Sequence, residues 1–459
     1  MSSTDRATLS VDNVVRSGLC IGCGACTAVT GLQMTMDGYG QLKPSGPADR
    51  RRHESQAVAA ICPFSPTARN EDQLSTARYP DASHRDERLG RFEAAYVGAV
   101  VEGSYRQLGS SGGMVSWMAA ELLRRGLVDG VAHVRPAVGG RYFAYTISRS
   151  VAEVQAGAKS RYYPVELSAV IDEIRRVPGR YAVVGIPCFV KAVQLLREQD
   201  TILAERIVHT LGLFCWHMKS ARLVESFAWQ MGVQAEAVAQ PEYRVKGPER
   251  PANWYTAHLV LKDGSVRQKD WWHLADGDWG AGFFMNSACN FCDDVLAETA
   301  DIAFGDAWVE PHSSDWRGTN VVVIRSAQLT RIIDEAVAQG RLDLRPVDAD
   351  YVAGTQAAGL RQRREGLGYR LSWWRRGVIP RKRYGPRADI SLQRKLVYRL
   401  RYAISTWSHR VFWLARRQGA PWLYVGWAHG AKRIYHGLAY GRGRIGAVAR
   451  VLRLTGHND

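Results

Sequence analysis

The 459-residue sequence has no apolar run that reaches the roughly 18 uninterrupted residues of a membrane-spanning helix. Its first residues, MSSTDRATLSVDNVVRSG, lack the basic and then apolar regions of a secretory signal. The sequence also lacks repeats of solenoid length, and hydrophobic residues make up 46% of it. These features predict a folded cytoplasmic protein of two or three domains, at roughly 150 residues per domain.

Acidic residues are scarce in the last part of the chain. Residues 361–459 carry 23 Lys and Arg but only three acids, a net charge of +20 within a total of +17. Apolar residues at every third or fourth position over 392–414 predict one face of a helix about 25 residues long. Two shorter helices are predicted around Trp422–Leu438 and Ile445–Leu454.

This basic segment could bind several kinds of partner. One is an anionic membrane surface, which would place the protein on the inner face of the membrane. The others are an acidic ferredoxin and a phosphate-bearing, lipid-linked substrate. The alternative is a solvated helical extension packed on the body of the protein. Nucleic acid is not favoured, because no nucleic-acid-binding motif accompanies the charge.

Cysteine spacing distinguishes the N-terminal region. Cys20, Cys23 and Cys26 form C-x-x-C-x-x-C, and the more distant Cys62 precedes a proline. Bacterial ferredoxins bind a 4Fe-4S cluster through such a loop and a remote Cys-Pro. A structural zinc site is the alternative, although zinc sites more often pair two separate C-x-x-C knuckles. In a reducing compartment, clustered cysteines indicate metal ligands or catalytic groups rather than disulfides.

The other four cysteines are far apart in the sequence. Cys188 and Cys215 each follow a strand-like run, and Cys289 and Cys292 form a C-x-x-C pair. Parallel strands that end at one edge of a sheet would bring these residues together, and they would then bind a second cluster. The alternative is that Cys188 and Cys215 are ordinary buried cysteines and that the pair binds nothing.

A glycine-rich loop lies between a predicted strand and a predicted helix. Its residues are Gly109, Ser110, Ser111, Gly112 and Gly113. Backbone amides and serine hydroxyls in such a loop can hold a phosphate at a helix N-terminus, and Lys159 and Arg161 would add positive charge. The loop matches neither a Walker sequence nor G-x-G-x-x-G, and a tight turn with serine capping the helix is the alternative.

Two further residues are candidates for catalytic chemistry. Asp306 lies in ADIAFGDAW, around a predicted strand, and is either an active-site acid or cofactor ligand or a turn-capping aspartate. His217 follows Cys215 by two positions and could transfer protons near neutral pH. A single histidine is more often structural, so this role is an expectation.

These motifs together resemble the coenzyme F-420 hydrogenase/dehydrogenase beta-subunit family. The sequence contains CIGCGAC, ICP, GSSGG, GAKSRYYP, GIPC, LFC and CNFCDDVLAETADIAFGDAW in that order. The resemblance covers roughly residues 15–350 and does not extend into 361–459. One departure is GAKSRY, where family members often read GSKY, which places the match at Lys159 in doubt.

The resemblance implies an FAD-containing iron–sulfur enzyme that takes electrons from a ferredoxin-like donor or a partner redox subunit. The acceptor would be a small organic molecule: deazaflavin coenzyme F-420, a pigment as in 7-hydroxymethyl chlorophyll a reductase-like members, or a polysaccharide-pathway substrate. It also favours the loop over 109–113 and Lys159 as FAD contacts, and a second 4Fe-4S cluster. A non-catalytic electron-transfer subunit and a zinc-stabilised binding protein are the alternative functions.

The fold that we predict is mixed α/β in four parts. Residues 1–90 would form a small ferredoxin-like iron–sulfur unit with its linker. Residues 91–180 and 181–360 would form the two α/β modules of a flavin-binding body, with the glycine-rich loop in the first and the second cysteine set in the other. Residues 361–459 would form the basic helical extension.

Overall fold

The computed structural model describes residues 8–137, 139–373 and 377–451. The N-terminal part consists of short helices and two antiparallel ribbons, with β1 paired to β2 and β3 paired to β4. Its elements are α1 (Val11–Arg16), α2 (Thr27–Thr30), β1 (Gln33–Met36), β2 (Leu42–Ser45), α3 (Ala48–Arg52), α4 (Gln56–Ile61), α5 (Glu71–Arg78), β3 (His84–Asp86) and β4 (Gly90–Phe92).

The body of the protein follows from residue 94. Its first half comprises β5 (Ala94–Val100), α6 (Tyr105–Leu108), α7 (Met114–Arg124), β6 (Gly130–Pro136), β7 (Phe143–Ser148), α8 (Val151–Ala156), α9 (Ser168–Arg176), β8 (Tyr181–Gly185), α10 (Pro187–Gln199), α11 (Thr201–Arg206) and β9 (Ile207–Leu213). Its second half comprises α12 (Arg222–Gln230), β10 (Val238–Val245), β11 (Thr256–Leu261), β12 (Val266–Asp270), β13 (Ile302–Asp306), β14 (Asn320–Ile324), α13 (Ala327–Ala338) and β15 (Leu342–Pro346).

Eight of these strands form one mixed sheet in the order β15-β5-β14-β13-β9-β8-β6-β7. The four strands β13, β9, β8 and β6 are parallel, and the strands on either side of them are antiparallel to their neighbours. The carboxyl ends of the parallel strands therefore meet at one edge. The predicted mixed α/β fold is confirmed. Strands from both predicted α/β modules share this one sheet, and the division of the chain into four parts stays a prediction.

The sheet is buried on both faces, as its continuous apolar runs predict. On one face, Val183 packs with Phe189 of α10 and Ile171 of α9. On the other face, Val184 packs with Trp117 of α7 and with Ile333 of α13. A short helix, α6, precedes the glycine-rich loop and was not predicted.

A separate three-stranded sheet, β10-β11-β12, lies beside the main sheet and contains the predicted hairpin, with β11 paired antiparallel to β12. The last helices are α14 (Ala349–Thr355), α15 (Ala357–Arg363), α16 (Glu365–Trp373), α17 (Leu392–Arg417), α18 (Pro421–Tyr440) and α19 (Gly443–Val451). The predicted long helix is confirmed as the 26 residues of α17. The third predicted helix begins as expected, and its residues 452–454 lie outside the described part of the chain.

The C-terminal helices pack on the body. Phe412 of α17 and Tyr424 of α18 share a core with Trp271, Phe227 and Phe284. In the parts of the chain that the structure describes, none of the helices combines the length and apolar character needed to span a bilayer.

Buried ion pairs attach the segment before α17 to the body. Lys382 lies 3.1 Å from Asp293, and Arg383 lies 3.3 Å from the same carboxylate while also pairing with Glu298 at 2.6 Å. The side chains of all four residues are at most 6% exposed. Removing one partner of such a pair leaves an uncompensated buried charge, so this attachment is sensitive to single substitutions.

The contact between α17 and the N-terminal part of the chain should make the stability of the protein depend on pH. His409 is buried, donates to the carbonyl of Ser405 through Nδ1 and accepts from the amide of Gln41 through Nε2. Burial lowers the pKa of His409 to about 4. The unfolded chain therefore takes up a proton at this residue before the folded protein does, and stability is lost as the pH falls below the ordinary value of 6.5.

Urea unfolding at pH 7 and pH 5 measures this effect. Between those values we expect the free energy of unfolding to fall by about 2 kcal/mol more in the natural protein than in His409→Gln. His84→Gln, at an exposed position, is the matched control and should keep the full pH dependence. Equal pH dependence in His409→Gln and the natural protein would contradict the assignment.

Candidate functional site

Cys20, Cys23, Cys26 and Cys62 line one small cavity of about 40 Å³. Helix α4 ends at Ile61, so that Cys62 follows as its C-terminal cap residue. Gly22 and Gly24 both have φ near +82°, and a Cβ atom on Gly22 would come within 2.6 Å of the Leu42 carbonyl oxygen. Only glycine fits this turn without strain, which explains how the loop brings its three thiols together.

The thiol chemistry of this first set fits a metal centre. Burial, and then the thiols of Cys20, Cys23 and Cys62, raise the pKa of Cys26 well above its ordinary value. Burial likewise raises the pKa of Cys62 to about 12. Thiolates are the form that binds iron, so the charge of a metal centre would have to offset the burial of these sulfurs.

The second set also converges. Cys188 begins α10 directly after β8, Cys215 follows β9, and Cys289 and Cys292 lie in and just after a single 3₁₀ turn. Burial, and then the thiols of Cys292, Cys215 and Cys289, raise the pKa of Cys188 well above its ordinary value. The predicted meeting of these residues at the sheet edge is therefore what the structure shows, and their role as ligands stays a prediction.

Arg363 of α15 supplies positive charge to the second set. Its guanidinium donates to the carbonyl oxygens of Cys289 and Trp216 and is buried. Burial acts to lower the pKa of Arg363, but the surrounding thiols, Cys292 and Cys289 foremost, raise it overall. A fixed cation at this place favours anionic sulfur ligands.

The two sets are neighbours in one apolar core that contains Cys23 as well as Cys188. Burial, and then the thiols of Cys188 and Cys23, raise the pKa of Tyr145, whose hydroxyl donates to the Val184 carbonyl at 2.8 Å. The pKa of this one side chain is thus raised by a thiol from each set. Two centres bound here would be close enough for their charges to interact.

Across the described residues, no three or more His, Cys, Asp or Glu side chains stand in an arrangement that could hold a metal ion. A 4Fe-4S cluster takes its four thiolates on four different irons, so its ligands stand farther apart than the ligands of one ion. The fit of both sets to a cluster rests on convergence, burial and the all-thiol donor chemistry.

A cavity of about 790 Å³ opens beside the second set. It lies at the carboxyl edge of the parallel strands, where ligands of open α/β sheets commonly bind. Most of the candidate residues from the sequence line it: Gly109, Ser110, Ser111, Gly113, Lys159, Cys215, His217 and Asp306. Gly112 lies behind the cavity surface, packed against Asn320.

The glycine-rich loop is held by contacts across the body. Ser110 Oγ accepts from the backbone amide of Ser160 at 2.8 Å, and Ser111 Oγ donates to the Thr319 carbonyl at 3.0 Å. Lys246 Nζ donates to the Ser111 carbonyl at 2.8 Å. Neither serine caps α7, whose N-terminal cap residue is Gly113 with no side-chain bond, so the capping alternative is wrong.

Basic residues surround this end of the cavity. Arg161 is packed over the ring of Phe143 at 4.7 Å, and its buried Nε and Nη1 atoms have no partner among the described residues. Burial, and then the charges of Arg244, Lys159 and Arg106, lower the pKa of Lys246 to about 7. Crowded, desolvated cations of this kind favour an anionic ligand such as a phosphate.

The end of the cavity beside Cys215 is aromatic. His217 stacks on Trp279 with ring centroids 4.4 Å apart, and Lys219 Nζ lies 4.8 Å from the centre of the same ring. Burial lowers the pKa of His217 well below its ordinary value, so the imidazole is neutral near pH 7. Neither of its ring nitrogens has a hydrogen-bond partner in the described part of the chain.

Asp306, the last residue of β13, forms an ion pair with Arg244 at 2.9 Å. Arg244 in turn lies over the ring of Tyr255 at 4.3 Å. The carboxylate is therefore an ion-pair partner in the cavity wall rather than a turn cap. Its role as an acid stays a prediction.

The sequence did not predict several residues that line the cavity. Arg244 could have been found from the alternation of PEYRVKG along β10, which brings Arg244 and Lys246 to the same side. His436, Tyr440 and Arg442 also line the cavity, and no sequence signal connected α18 to the site.

The architecture is that of a protein with two buried or half-buried sets of four cysteines and a large polar and aromatic cavity beside the second set. Two family models match the sequence of this chain. The N-terminal model of the coenzyme F420 hydrogenase/dehydrogenase beta subunit matches residues 95–172, and the C-terminal model matches residues 179–350. The chain belongs to this family, which is one of oxidoreductase subunits.

A comparison with solved structures gives a match to a chain of the F420-reducing [NiFe] hydrogenase complex from Methanosarcina barkeri. It is 16% identical, with a TM-score of 0.49, and the match covers 64% of this chain and 98% of that chain. A search of curated proteins finds no match.

Prediction on the glycine-rich loop. A Cβ atom on Gly112 would lie 2.8 Å from Asn320 Oδ1 and 2.9 Å from the Asn320 amide nitrogen and the Gly98 carbonyl oxygen. Because two of these are backbone atoms that cannot rotate away, we expect Gly112→Ala to destabilise the protein by about 1–3 kcal/mol. Gly354→Ala, in α14 with nothing within 4 Å, is the control and should not destabilise it. Urea unfolding measures both, and equal effects would contradict the packing described.

Proposed function

We propose that the chain is an FAD-dependent iron–sulfur oxidoreductase that passes electrons from a ferredoxin-like donor or a partner redox subunit to a small organic acceptor. The observation that carries this proposal is the pair of unsatisfied groups in the large cavity. The ring nitrogens of His217 and two guanidinium nitrogens of Arg161 are buried there without hydrogen-bond partners among the residues that the structure describes. Buried polar atoms are costly unless bonded, so a ligand that bonds both ends of the cavity accounts for them.

The chemistry at each end supports FAD as that ligand. The glycine-rich loop, Lys159 and Arg161 would hold the diphosphate, since amides and cations are its usual partners. Lys246 supports the loop through its bonds to the carbonyls of Arg106 and Ser111. Trp279 and His217 offer flat surfaces for a ring system at the other end. The volume of about 790 Å³ is within the range of cofactor cavities.

Both thiol sets would hold 4Fe-4S clusters, the first through Cys20, Cys23, Cys26 and Cys62 and the second through Cys188, Cys215, Cys289 and Cys292. When bound, clusters carry single electrons and FAD supplies the two-electron chemistry that most organic acceptors need. Cys215 lines the large cavity as well as belonging to the second set. Because Cys215 belongs to both places, it supports a path in which electrons pass from the first set to the second set and then to the ligand in the cavity.

The chain's own groups would manage protons and water. His217 is neutral near pH 7, so one of its ring nitrogens can donate a hydrogen bond and the other can accept one. The Arg244–Asp306 pair fixes the cavity wall, and α18 covers it with His436 and Tyr440. His436 is itself hydrogen-bonded to Asp278, which keeps this part of the wall ordered.

The acceptor that the family's description suggests is a deazaflavin, coenzyme F420. The cations beside the cavity are compatible with its anionic character, and equally with a phosphate-bearing sugar or an acidic pigment. The alternative is a subunit that only transfers electrons to another chain. Reduction of an added acceptor by the isolated protein separates the two, because an electron-transfer subunit would not reduce it.

Prediction on the metal content. Anaerobically purified protein should contain about eight iron atoms and as many sulfides per chain. Cys62→Ser should lower this to about four by removing the first cluster, and Cys292→Ser should do the same at the second, so that each set is the control for the other. Stoichiometric zinc without sulfide would contradict the proposal.

Prediction on His217. In His217→Phe the ring that stacks on Trp279 is kept and both nitrogens are lost. We expect the iron content to be unchanged and flavin to bind more weakly, because its hydrogen bonds to His217 are lost. With FAD in excess, the rate of acceptor reduction should fall about 100-fold, the lower end of what positioned acid–base groups contribute. Stopped-flow reduction of the cofactors by dithionite serves as the control, since it needs no acceptor. An unchanged acceptor rate would remove His217 from the proposed chemistry.

A further inference from the structure

The outer surface of the α17–α18 hairpin has an unusual concentration of exposed apolar side chains. In the C-terminal half of α17 and at the start of α18, the exposed fractions are 50% for Trp407, 37% for Trp413, 48% for Leu414 and 72% for Trp422. Single exposed apolar residues are normal on protein surfaces, but three tryptophans and a leucine within this part of the hairpin form a patch. Such a patch indicates an interaction site.

The patch lies on the side of α17 that faces away from the body. Ile404, Phe412 and Ala415 are buried against the core. At 100° per residue, Arg410 and Arg417 project from the opposite side of the helix, and Trp407 and Leu414 lie between that side and the buried one. The exposed face of α17 therefore combines arginines with apolar side chains at its margin.

Arginines accompany the tryptophans. The guanidinium of Arg410 lies over the Trp407 ring at 5.2 Å, and that of Arg417 lies over the Trp413 ring at 4.8 Å. The sequence has no Asp or Glu between Asp389 and Asp459. The surface of the hairpin has no acidic side chain of its own to neutralise these cations.

The N-terminal part of the chain extends the same surface. Tyr39, which is 40% exposed, contacts the ring of His409 edge-on at 6.3 Å. Because His409 is buried and hydrogen-bonded to Gln41, the loop around residue 39 is fixed beside α17. The patch is thus rigid, formed by two helices and a loop held against them.

We propose that this patch, named here the hairpin tip and formed by Tyr39, Trp407, Arg410, Trp413, Leu414, Arg417 and Trp422, docks the protein on a bilayer that carries anionic phospholipids. Tryptophan is suited to the level where headgroups meet acyl chains, because its ring is apolar and its N–H is polar. Arginines beside it would pair with lipid phosphates.

An acidic protein surface would satisfy the arginines, but it would leave three tryptophans without apolar partners unless it presented matching pockets. A bilayer satisfies both groups wherever the tip lands on it. The observations therefore favour lipid over a protein partner. Docking at the tip would hold the protein peripherally, with no helix crossing the membrane.

The hairpin tip is separate from the large cavity. Trp422 is at the start of α18, whereas Tyr440, at its end, lines the cavity. At 1.5 Å per residue the two are about 27 Å apart along the helix. Lipid binding is therefore independent of the proposed redox function, and either proposal can fail without the other.

Vesicle flotation of the full-length protein tests the proposal, with vesicles of phosphatidylcholine alone and of phosphatidylcholine mixed with phosphatidylglycerol. We expect binding to the mixed vesicles that exceeds binding to phosphatidylcholine by at least about tenfold and weakens with salt. The charge variant Arg410→Glu/Arg417→Glu should lose at least about tenfold in binding to the mixed vesicles. The aromatic variant Trp407→Ser/Trp422→Ser should lose binding to both kinds of vesicle.

Matched controls are available on other surfaces. Trp316→Ser, at a tryptophan that is 39% exposed, and Arg267→Glu, at an exposed arginine, should bind as the natural protein does. Quenching of tryptophan fluorescence by brominated phosphatidylcholine in the mixed vesicles gives a second readout, and it should decrease in the aromatic variant. Circular dichroism melting curves establish that each variant is folded.

Failure of the natural protein to float with the mixed vesicles would overturn the proposal. Flotation that is the same in the tip variants and the controls would also overturn it. Binding of an acidic protein through the tip, without any binding to vesicles, would replace it with a protein-docking surface.

Discussion

Cysteines of both sets lie in one interior region, and burial raises the pKa of members of each set, among them Cys26 and Cys188. A thiolate buried without compensation would be strongly disfavoured, so this region needs positive charge from outside the cysteine loops. Arg363 provides it at the second set, and the cations of Lys191 and Lys382 act on Cys62. Each of these buried cations has polar partners of its own: Arg363 donates to two backbone carbonyls, and Lys191 and Lys382 pair with Glu71 and Asp293.

Part of the positive charge of the C-terminal segment, residues 361–459, meets this need in the interior. Lys382 and Arg383 face inward and pair with Asp293 and Glu298. They hold the chain against the side of the body that carries the C-x-x-C pair. Arg363, Arg370 and Arg401 are buried as well. Other cations lie on the outside of α17, where Arg410 and Arg417 stack on tryptophans. One charged segment therefore contains two populations, an inner one that stabilises the fold and an outer one free to meet an anionic surface.

The sequence alone predicted the parts of the site that depend on local order along a parallel sheet. Cys188 and Cys215 directly follow strands, so their meeting followed from the rule that parallel strands end together. The glycine-rich loop was predicted as part of the site, but the bonds from Ser110 and Ser111 to residues 160 and 319 were not, because these join segments distant in sequence. The contribution of α18 could not be predicted either. Helical periodicity gives the buried face of a helix but not which surface it covers.

The two ends of the large cavity differ in a way that limits what can bind there. At one end Lys246 is close to Arg244, Lys159 and Arg106, so the end is electropositive and favours an anion. At the other end burial lowers the pKa of Lys219 to about 7 and lowers the pKa of His217 well below its ordinary value, so the histidine beside Trp279 is neutral at physiological pH. A ligand charged along its whole length would lose solvation at the aromatic end without a compensating partner. The cavity therefore favours a molecule with an anionic group at one end and an uncharged, flat ring system at the other, placed beside the thiols of the second set.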